Sequence, residues 1–326
     1  MKTSRFKRWI HSLERLNTQQ ERILQELLLA KATRKEVSHL LETPYQQITC
    51  PHCNGNNSVR WGKRNDLQRY RCKSCQKTFN SLTGTPLAHL HRKGHWLDYA
   101  HCLKEGLTVR KAAETCNIHR NTAFRWRHRF LENSKSVKAK QLQGIVEASE
   151  TAFLKSEKGN KHLGRSPRKR GFKPESQDRN QEVVYVFVSR DRNKNTFDSI
   201  FETFTTETLS RQLPEHISSD VLFCSARKEI YRRFTKEHQL RHGTLNLARG
   251  EWIKKDIVHL KNVRAYHRRM HEWIRYRFRG VATKYLENYI SWLRELDEFS
   301  GKITPQTILL RAKKAGPYKD LPYLVT

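Results

Sequence analysis

Apolar residues recur every three or four positions over residues 5–42. Phe6, Ile10 and Leu13 form one series, and Ile23, Leu24, Leu27 and Leu28 form another. That period predicts helices, with Pro44 as the stop. Residues 49–80 lose the period and turn short, polar and cysteine-bearing. Helical spacing returns over 95–131, broken at Gly106-Leu107-Thr108. Strand-like runs follow at 144–153 ("GIVEASETAF"), 182–190 ("EVVYVFVSR") and 219–225 ("SDVLFCS"). A long polar stretch rich in Lys and Arg separates the first two and reads as an exposed loop or hairpin extension. Residues 256–278 and 283–298 read as helices flanking Gly280. These patterns predict a multidomain α+β chain. Its expected parts are a helical segment (1–48), a small cysteine domain (49–80), a helical domain (81–136), a mixed α/β domain (140–300) and a tail (301–326).

Charge narrows the partner. Against 32 Asp and Glu stand 64 Lys and Arg, a net charge of +32 on 326 residues. Residues 1–143 hold 28 basic and 10 acidic residues, and the remainder holds 36 and 22, so both halves are basic. An excess of this size points to a polyanion, because each neutralised phosphate releases condensed counterions. A merely soluble basic protein has the same composition, so charge alone does not decide. The first twenty residues are interrupted by charges, and no apolar run suffices to span a bilayer; the expected location is the cytoplasm.

Four of the seven cysteines form the pattern Cys50-x2-Cys53-x18-Cys72-x2-Cys75. Two close pairs at this separation are the spacing of a four-thiolate zinc ribbon. So small a segment has little core, and zinc binding, about 10–16 kcal/mol in comparable peptides, would be its folding energy. Between the pairs, Arg60, Trp61, Lys63, Arg64, Arg69, Tyr70 and Arg71 interleave basic and aromatic side chains, which suits contact with nucleic-acid backbone. Tyr70 also reads as simple knuckle packing. Cys102, Cys116 and Cys224 lack paired spacing and are expected to be ordinary buried residues.

"GLTVRKAAETCNIHRNTAFRWRHRFL" (106–131) has the layout of a helix-turn-helix. Thr108 is a natural N-cap, Ala112 and Ala113 give a small apolar face, and Cys116-Asn117-Ile118 is the turn. In the second helix, Ala123, Trp126 and Phe130 fall on one face, with Asn121, Arg125 and His128 opposite. Asn and Arg make bidentate contacts to adenine and guanine edges in the major groove. His119, Arg120, Asn121, Thr122, Arg125 and His128 are therefore the candidate reading residues, and double-stranded DNA is the expected partner. A basic helical hairpin inside a larger core is the competing reading.

The run "QRYRCKSCQKTFNSLTGTPLA" followed by that helical pair closely resembles insertion-sequence transposases with an N-terminal zinc ribbon and an ISXO2-like catalytic domain. The likeness continues through "GIVEASETAF", "VLFCSARKEIYRRF" and "HLKNVRAYHRRMHEWIRYRFRGVATKYLENYISW". It implies a ribonuclease-H-like domain of the DDE type, in which carboxylates hold two Mg2+ ions for attack on a phosphodiester. It also implies a bacterial, nucleoid-associated protein that binds element ends, with a homo-oligomer left open. This chain departs from the family at the catalytic positions. The first Asp falls on Ser149, the second on Ala226 and the third ligand on Arg264, with His271 in place of a Lys seven residues on. Ser and Ala cannot replace metal-binding carboxylates, and a cation at Arg264 would repel the ions. Glu147, Glu150 and Glu229 are the acids near these positions. The reading is a catalytically degenerate, DNA-binding transposase relative. An active strand transferase with relocated ligands and a domesticated DNA-binding regulator are the alternatives.

Overall fold

The computed structural model describes residues 3–42, 48–136, 138–164, 182–299 and 302–314. They divide into two compact units, residues 1–130 with 303–326, and residues 131–302.

The first unit opens with helices α1 (Thr3–Leu13) and α2 (Thr18–Glu42). Asn17 and Gln20 exchange side-chain-to-backbone hydrogen bonds of 2.9 and 3.0 Å, a reciprocal cap that starts α2. The predicted apolar series lies on these helices but is not buried. No residue of α1 is buried, and Ile23, Leu27 and Leu28 are exposed; Val37, Ser38 and Leu41, near the end of α2, are buried. Pro44 lies outside the described residues.

Three strands follow: β1 (Ser58–Arg64), β2 (Leu67–Cys72) and β3 (Thr78–Phe79), in antiparallel order. Asn65 and Asp66 join β1 to β2 with φ of 50° and 62°, the left-handed pair that a two-residue hairpin turn requires. Then come α3 (Trp96–Lys104), α4 (Val109–Thr115) and α5 (Arg120–Leu131). Trp96 and Tyr99 of α3 meet Trp126 and Phe130 of α5 edge to face, with ring centroids 5.3–6.5 Å apart. Such pairs orient the two helices as well as burying area. The predicted break falls at Gly106, whose φ of 61° ends α3 in the left-handed conformation. The stretch read as a tail contains one more helix, α10 (Pro305–Lys313), which belongs to this unit and packs on α3 and α2. Its Ile308, Leu309 and Ala312 are buried, and Lys313 donates to the carbonyl of Leu41.

The second unit is a five-stranded sheet with helices on both faces. Its strands are β4 (Ile145–Leu154), β5 (Val183–Asp191), β6 (Thr196–Phe201), β7 (Leu222–Ala226) and β8 (Arg241–Leu245), ordered β6-β5-β4-β7-β8. The β4–β5 and β5–β6 pairs are antiparallel, and the β4–β7 and β7–β8 pairs are parallel. Strands β6 and β8 had no sequence expectation. One face packs Val146, Ala148, Phe187 and Phe223 against Leu209 of α6 (Thr206–Gln212) and Tyr231 and Phe234 of α7 (Glu229–Glu237). The other carries α8 (Lys261–His271), a π-helical turn Glu272–Arg277, and α9 (Thr283–Glu298). Arg294 of α9 reaches the carboxylate of Asp198 on β6, both side chains 2% exposed.

The stretch expected to be one helix from residue 256 begins instead with a hairpin. Strands β9 (Ile253–Lys254) and β10 (Val258–His259) pair antiparallel, and α8 starts only at Lys261. Lys255 and Asp256 at its tip have φ of 50° and 55°, which closes the chain before a helix can start. Much of the polar stretch between β4 and β5, residues 165–181, lies outside the described residues.

Candidate functional site

The four cysteine sulfurs lie within 4.8 Å of one another. Cys50 and Cys75 are 3.6 Å apart, as are Cys53 and Cys72. Four sulfurs each about 2.3 Å from one zinc ion, at the corners of a tetrahedron, stand about 3.8 Å apart. The cluster therefore fits such an ion closely. Each pair sits on a tight turn followed by a left-handed residue, Asn54 (φ 57°) and Gln76 (φ 60°). The amides of Cys75 and Ser74 favour the Cys72 thiolate and pull its pKa to about 6. At Cys53 the Gly55 amide pulls the same way, but the three neighbouring cysteines outweigh it and push the thiol to about 12. Cys50, Cys72 and Phe79 form the ribbon's small core, and Tyr70 stacks on Phe79 at 5.6 Å. Tyr70 is therefore packing, the second of its two sequence readings.

On the ribbon, Arg60, Lys63 and Arg64 are exposed, and Arg69 is half-buried. Trp61 is exposed, with the Arg71 guanidinium 4.9 Å from its ring. In the helical pair, Thr108 caps α4 by accepting from the Lys111 amide at 3.4 Å. The turn is closed by Asn117 at φ 47°. His119 caps α5, its Nδ1 accepting from the Asn121 amide at 3.2 Å. Arg120, Asn121 and Arg125 project from the exposed face and Thr122 is half-buried, while Ala123, Trp126 and Phe130 are buried. His128 is a correction. It is buried, 2% exposed, with its ring 4.6 Å from Phe124. Helical spacing put it opposite Trp126, but the last turns of α5 are enclosed on all sides, so only the first half of the helix offers a free face.

Sequence reasoning missed a basic cleft beside this face. It has a volume of about 750 Å3 and is lined by Lys31, Arg34 and Lys35 of α2, Asn65 and Asp66 of the ribbon hairpin, and residues 90–95. Arg34 pairs with Asp66, and Lys93 donates to the Asn65 carbonyl at 2.9 Å. Burial lowers the pKa of the Lys93 amine. Leu90, His91 and Arg92 also line a smaller cleft of about 270 Å3 with His119, Thr122 and Arg125. Thus α2, the ribbon tip and the exposed face of α5 are joined by one basic loop. No sequence pattern marks this, because its residues come from three separated segments.

In the second unit, Glu147 is fully buried on the face of β4 that meets α8. Its carboxylate accepts from the backbone amides of Asn262 (2.8 Å) and Val263 (3.0 Å) and from the Asn262 side chain (2.9 Å). Arg192 pairs with it at 2.9 Å, and the His259 ring lies 3.3 Å away. Glu147 therefore caps the N-terminus of α8 from the neighbouring strand, where free amides and the helix dipole favour an anion. Arg192 also donates to the Ile257 carbonyl at 2.8 Å, which ties the β9–β10 hairpin to the same carboxylate.

Ser149 lies two residues along, on the same face as Glu147. The paired register of β4 and β7 ends at Ala148 with Ser225, so Ser149 and Ala226 are the next residues on adjacent parallel strands. Thr151, next on that face, meets His271 of α8, Oγ1 to Nε2 2.8 Å. Arg264, His267 and His271 form one stripe of α8 at i, i+3 and i+7. His267 is buried, and Arg264 is exposed, its guanidinium 4.3 Å from the ring of Trp252. Glu150 points to the other face, where Lys228 and the Tyr231 hydroxyl bind it. Burial, then the Glu150 charge, holds the Tyr231 phenol well above its usual range. Glu229 opens α7 on the surface and pairs with Arg232 and Arg233. Cys102, Cys116 and Cys224 are buried and free. No helix among the described residues is long and apolar enough to cross a membrane.

Two family models match parts of the chain. Residues 141–294 match the ISXO2-like transposase domain, and residues 98–136 match a homeodomain-like domain. The chain is 26% identical over 283 residues to an uncharacterised protein in transposable element ISH50 of Halobacterium salinarum; the match covers 80% of this chain and 90% of that protein.

Proposed function

We propose that this chain, which carries an ISXO2-like transposase domain behind a homeodomain-like one, is a DNA-binding relative of insertion-sequence transposases that has lost the metal chemistry. The two domains imply DNA binding. The four-cysteine cluster could hold a metal, and zinc is the ion whose bond lengths it suits. Duplex DNA lies against the exposed half of α5, with Arg120, Asn121 and Arg125 toward base edges. His119 and Thr122 lie beside them. Arg60, Lys63, Arg64 and Arg69 of the ribbon reach phosphates. Element ends are the natural target.

The sheet order β6-β5-β4-β7-β8, with β5 antiparallel to β4, supports a ribonuclease-H-like reading of the second unit. In that fold, β4 and the end of β7 would supply the metal carboxylates. The observation that carries the proposal is the pairing there. Ser149 and Ala226 stand side by side on the α8 face, and Arg264, on α8, is exposed with its guanidinium against Trp252. Glu147, the nearest acid on that face, has its oxygens committed to three N–H groups and Arg192. These residues do not fit a two-Mg2+ site, which needs several free hard oxygens around ions about 3.5–4 Å apart. Glu150 and Glu229 face other partners.

The test combines binding and cleavage. Arg125→Ala should weaken binding to the cognate duplex more than to random duplex. Lys63→Ala with Arg64→Ala should weaken both equally and reduce the salt slope by about 2. With Mg2+ or Mn2+, the natural protein should neither cleave nor join DNA. Strand transfer by the unaltered chain would establish instead an active enzyme with relocated ligands. The variant Ser149→Asp, Ala226→Asp, Arg264→Asn asks whether restoring three positions restores activity.

A further inference from the structure

Beside the position where the family would place its third metal ligand lies an open cleft of about 480 Å3. Lys261, Arg264 and Arg268 line it from one stripe of α8, at i, i+3 and i+7. Across from them stands Trp252, 51% exposed, with Ile253 beside it at 43%. The Arg264 guanidinium carbon sits 4.3 Å from the indole centroid, so cation and ring stack. None of the residues that line the cleft is acidic. The hairpin bearing Ile253 is held down by Arg192, which binds the Ile257 carbonyl and the Glu147 carboxylate that also caps α8. One buried carboxylate therefore fixes both walls.

We propose that this cleft binds single-stranded DNA, with an unpaired base stacked on Trp252 and flanking phosphates on Lys261 and Arg268. Three cations on one helical stripe repel one another until an anion lies between them, and a phosphodiester supplies that charge along its length. A large exposed indole backed by a guanidinium offers its other face to a flat, polarisable ring. A base presents such a face only when it is unstacked, which selects single strands over duplex. Arg264, at the position where the family would have its third metal ligand, carries a cation that holds the Trp252 ring. The inference rests on the DNA-binding reading of the chain but uses a different unit from the helix-turn-helix, so the two can fail separately.

The experiment is fluorescence anisotropy with a labelled oligothymidylate of about 20 nucleotides, which forms no duplex, and in parallel with a random duplex, using the full chain. Trp252→Ala should weaken oligothymidylate binding about 5- to 150-fold, the range for loss of one base–aromatic stack. Trp252→Tyr should restore most of it. Lys261→Ala with Arg268→Ala should lower the salt slope on the single strand by about 1.4, two contacts at about 0.7 each. The proposal is overturned if the natural protein does not bind oligothymidylate, if Trp252→Ala leaves that affinity unchanged, or if it weakens duplex binding by the same factor. Loss of duplex binding alone would count against the helix-turn-helix reading and leave the cleft standing.

Discussion

Replacing Glu147 distinguishes a structural anchor from a catalytic acid. Its carboxylate is fully buried and accepts from two backbone amides, one side-chain amide and Arg192, at 2.8–3.0 Å. Each charge-assisted bond contributes about 1.5–3 kcal/mol in isolation, but they share two oxygens and are not additive. Removing one partner of a buried ion pair costs about 3–5 kcal/mol, because the remaining groups stay buried and unmatched. Arg192 is 28% exposed and can turn toward water, so the lower half applies. Glu147→Ala should therefore destabilise the protein by about 3–4 kcal/mol. Glu147→Gln keeps an acceptor for one or two of the amides and should cost about 1–3 kcal/mol. Urea unfolding read by far-ultraviolet circular dichroism measures both, and total stabilities of about 5–15 kcal/mol make the losses easy to resolve. Hydrogen exchange should show faster opening at the Asn262 and Val263 amides. A loss below about 0.5 kcal/mol for Glu147→Gln would refute the capping role, as would a metal-dependent cleavage activity that this variant abolishes without changing stability.

Three other outcomes follow from particular contacts. The purified chain should hold one zinc ion per molecule, released as a thiol-modifying reagent blocks the four cluster cysteines; Cys72→Ser should bind none, and a metal-free preparation with the ribbon still folded would contradict the cluster's role. Gly243 on β8 has no room for a methyl group, since a Cβ there would lie 2.7 and 2.9 Å from the Val258 methyl carbons; Gly243→Ala should cost about 1–3 kcal/mol in urea melts. His267 is neutral in the fold, its pKa lowered by burial, then by His271, to about 4. The unfolded chain takes up that proton near pH 6.5, so the stabilisation is complete above about 6.5 and is lost as pH falls toward 4, about 3 kcal/mol at most. Comparing urea midpoints of the natural protein and His267→Gln at several pH values should show the natural protein losing more over that interval.

Local patterns sufficed where the determinants lie close together in sequence. The cysteine spacing alone marked Cys50, Cys53, Cys72 and Cys75 as one cluster, because two tight turns fix each pair. The i, i+3, i+4 spacing and Thr108 marked both helices of the pair, since capping and amphipathicity act within a few residues. Strand β4 was legible as a strand from "GIVEASETAF", and the alternation of a strand puts Glu147 with Ser149 and Glu150 on the opposite face. Other features depend on which segments the fold brings together. Periodicity alone could not show that nothing in the described chain covers Phe6 and Leu27, or that the end of α5 is enclosed and removes His128 from the free surface. Strand β8 has a weak pattern, "RHGTL", and forms because β7 supplies its hydrogen bonds. Glu147 meets its helix across 115 residues, and Trp252 meets Arg264 through a hairpin that the sequence presented as helix. Sequence set the chemistry carried by each segment; the assignment of each buried charge to a partner was made by tertiary packing, because a carboxylate out of water must find its donors wherever the fold places them.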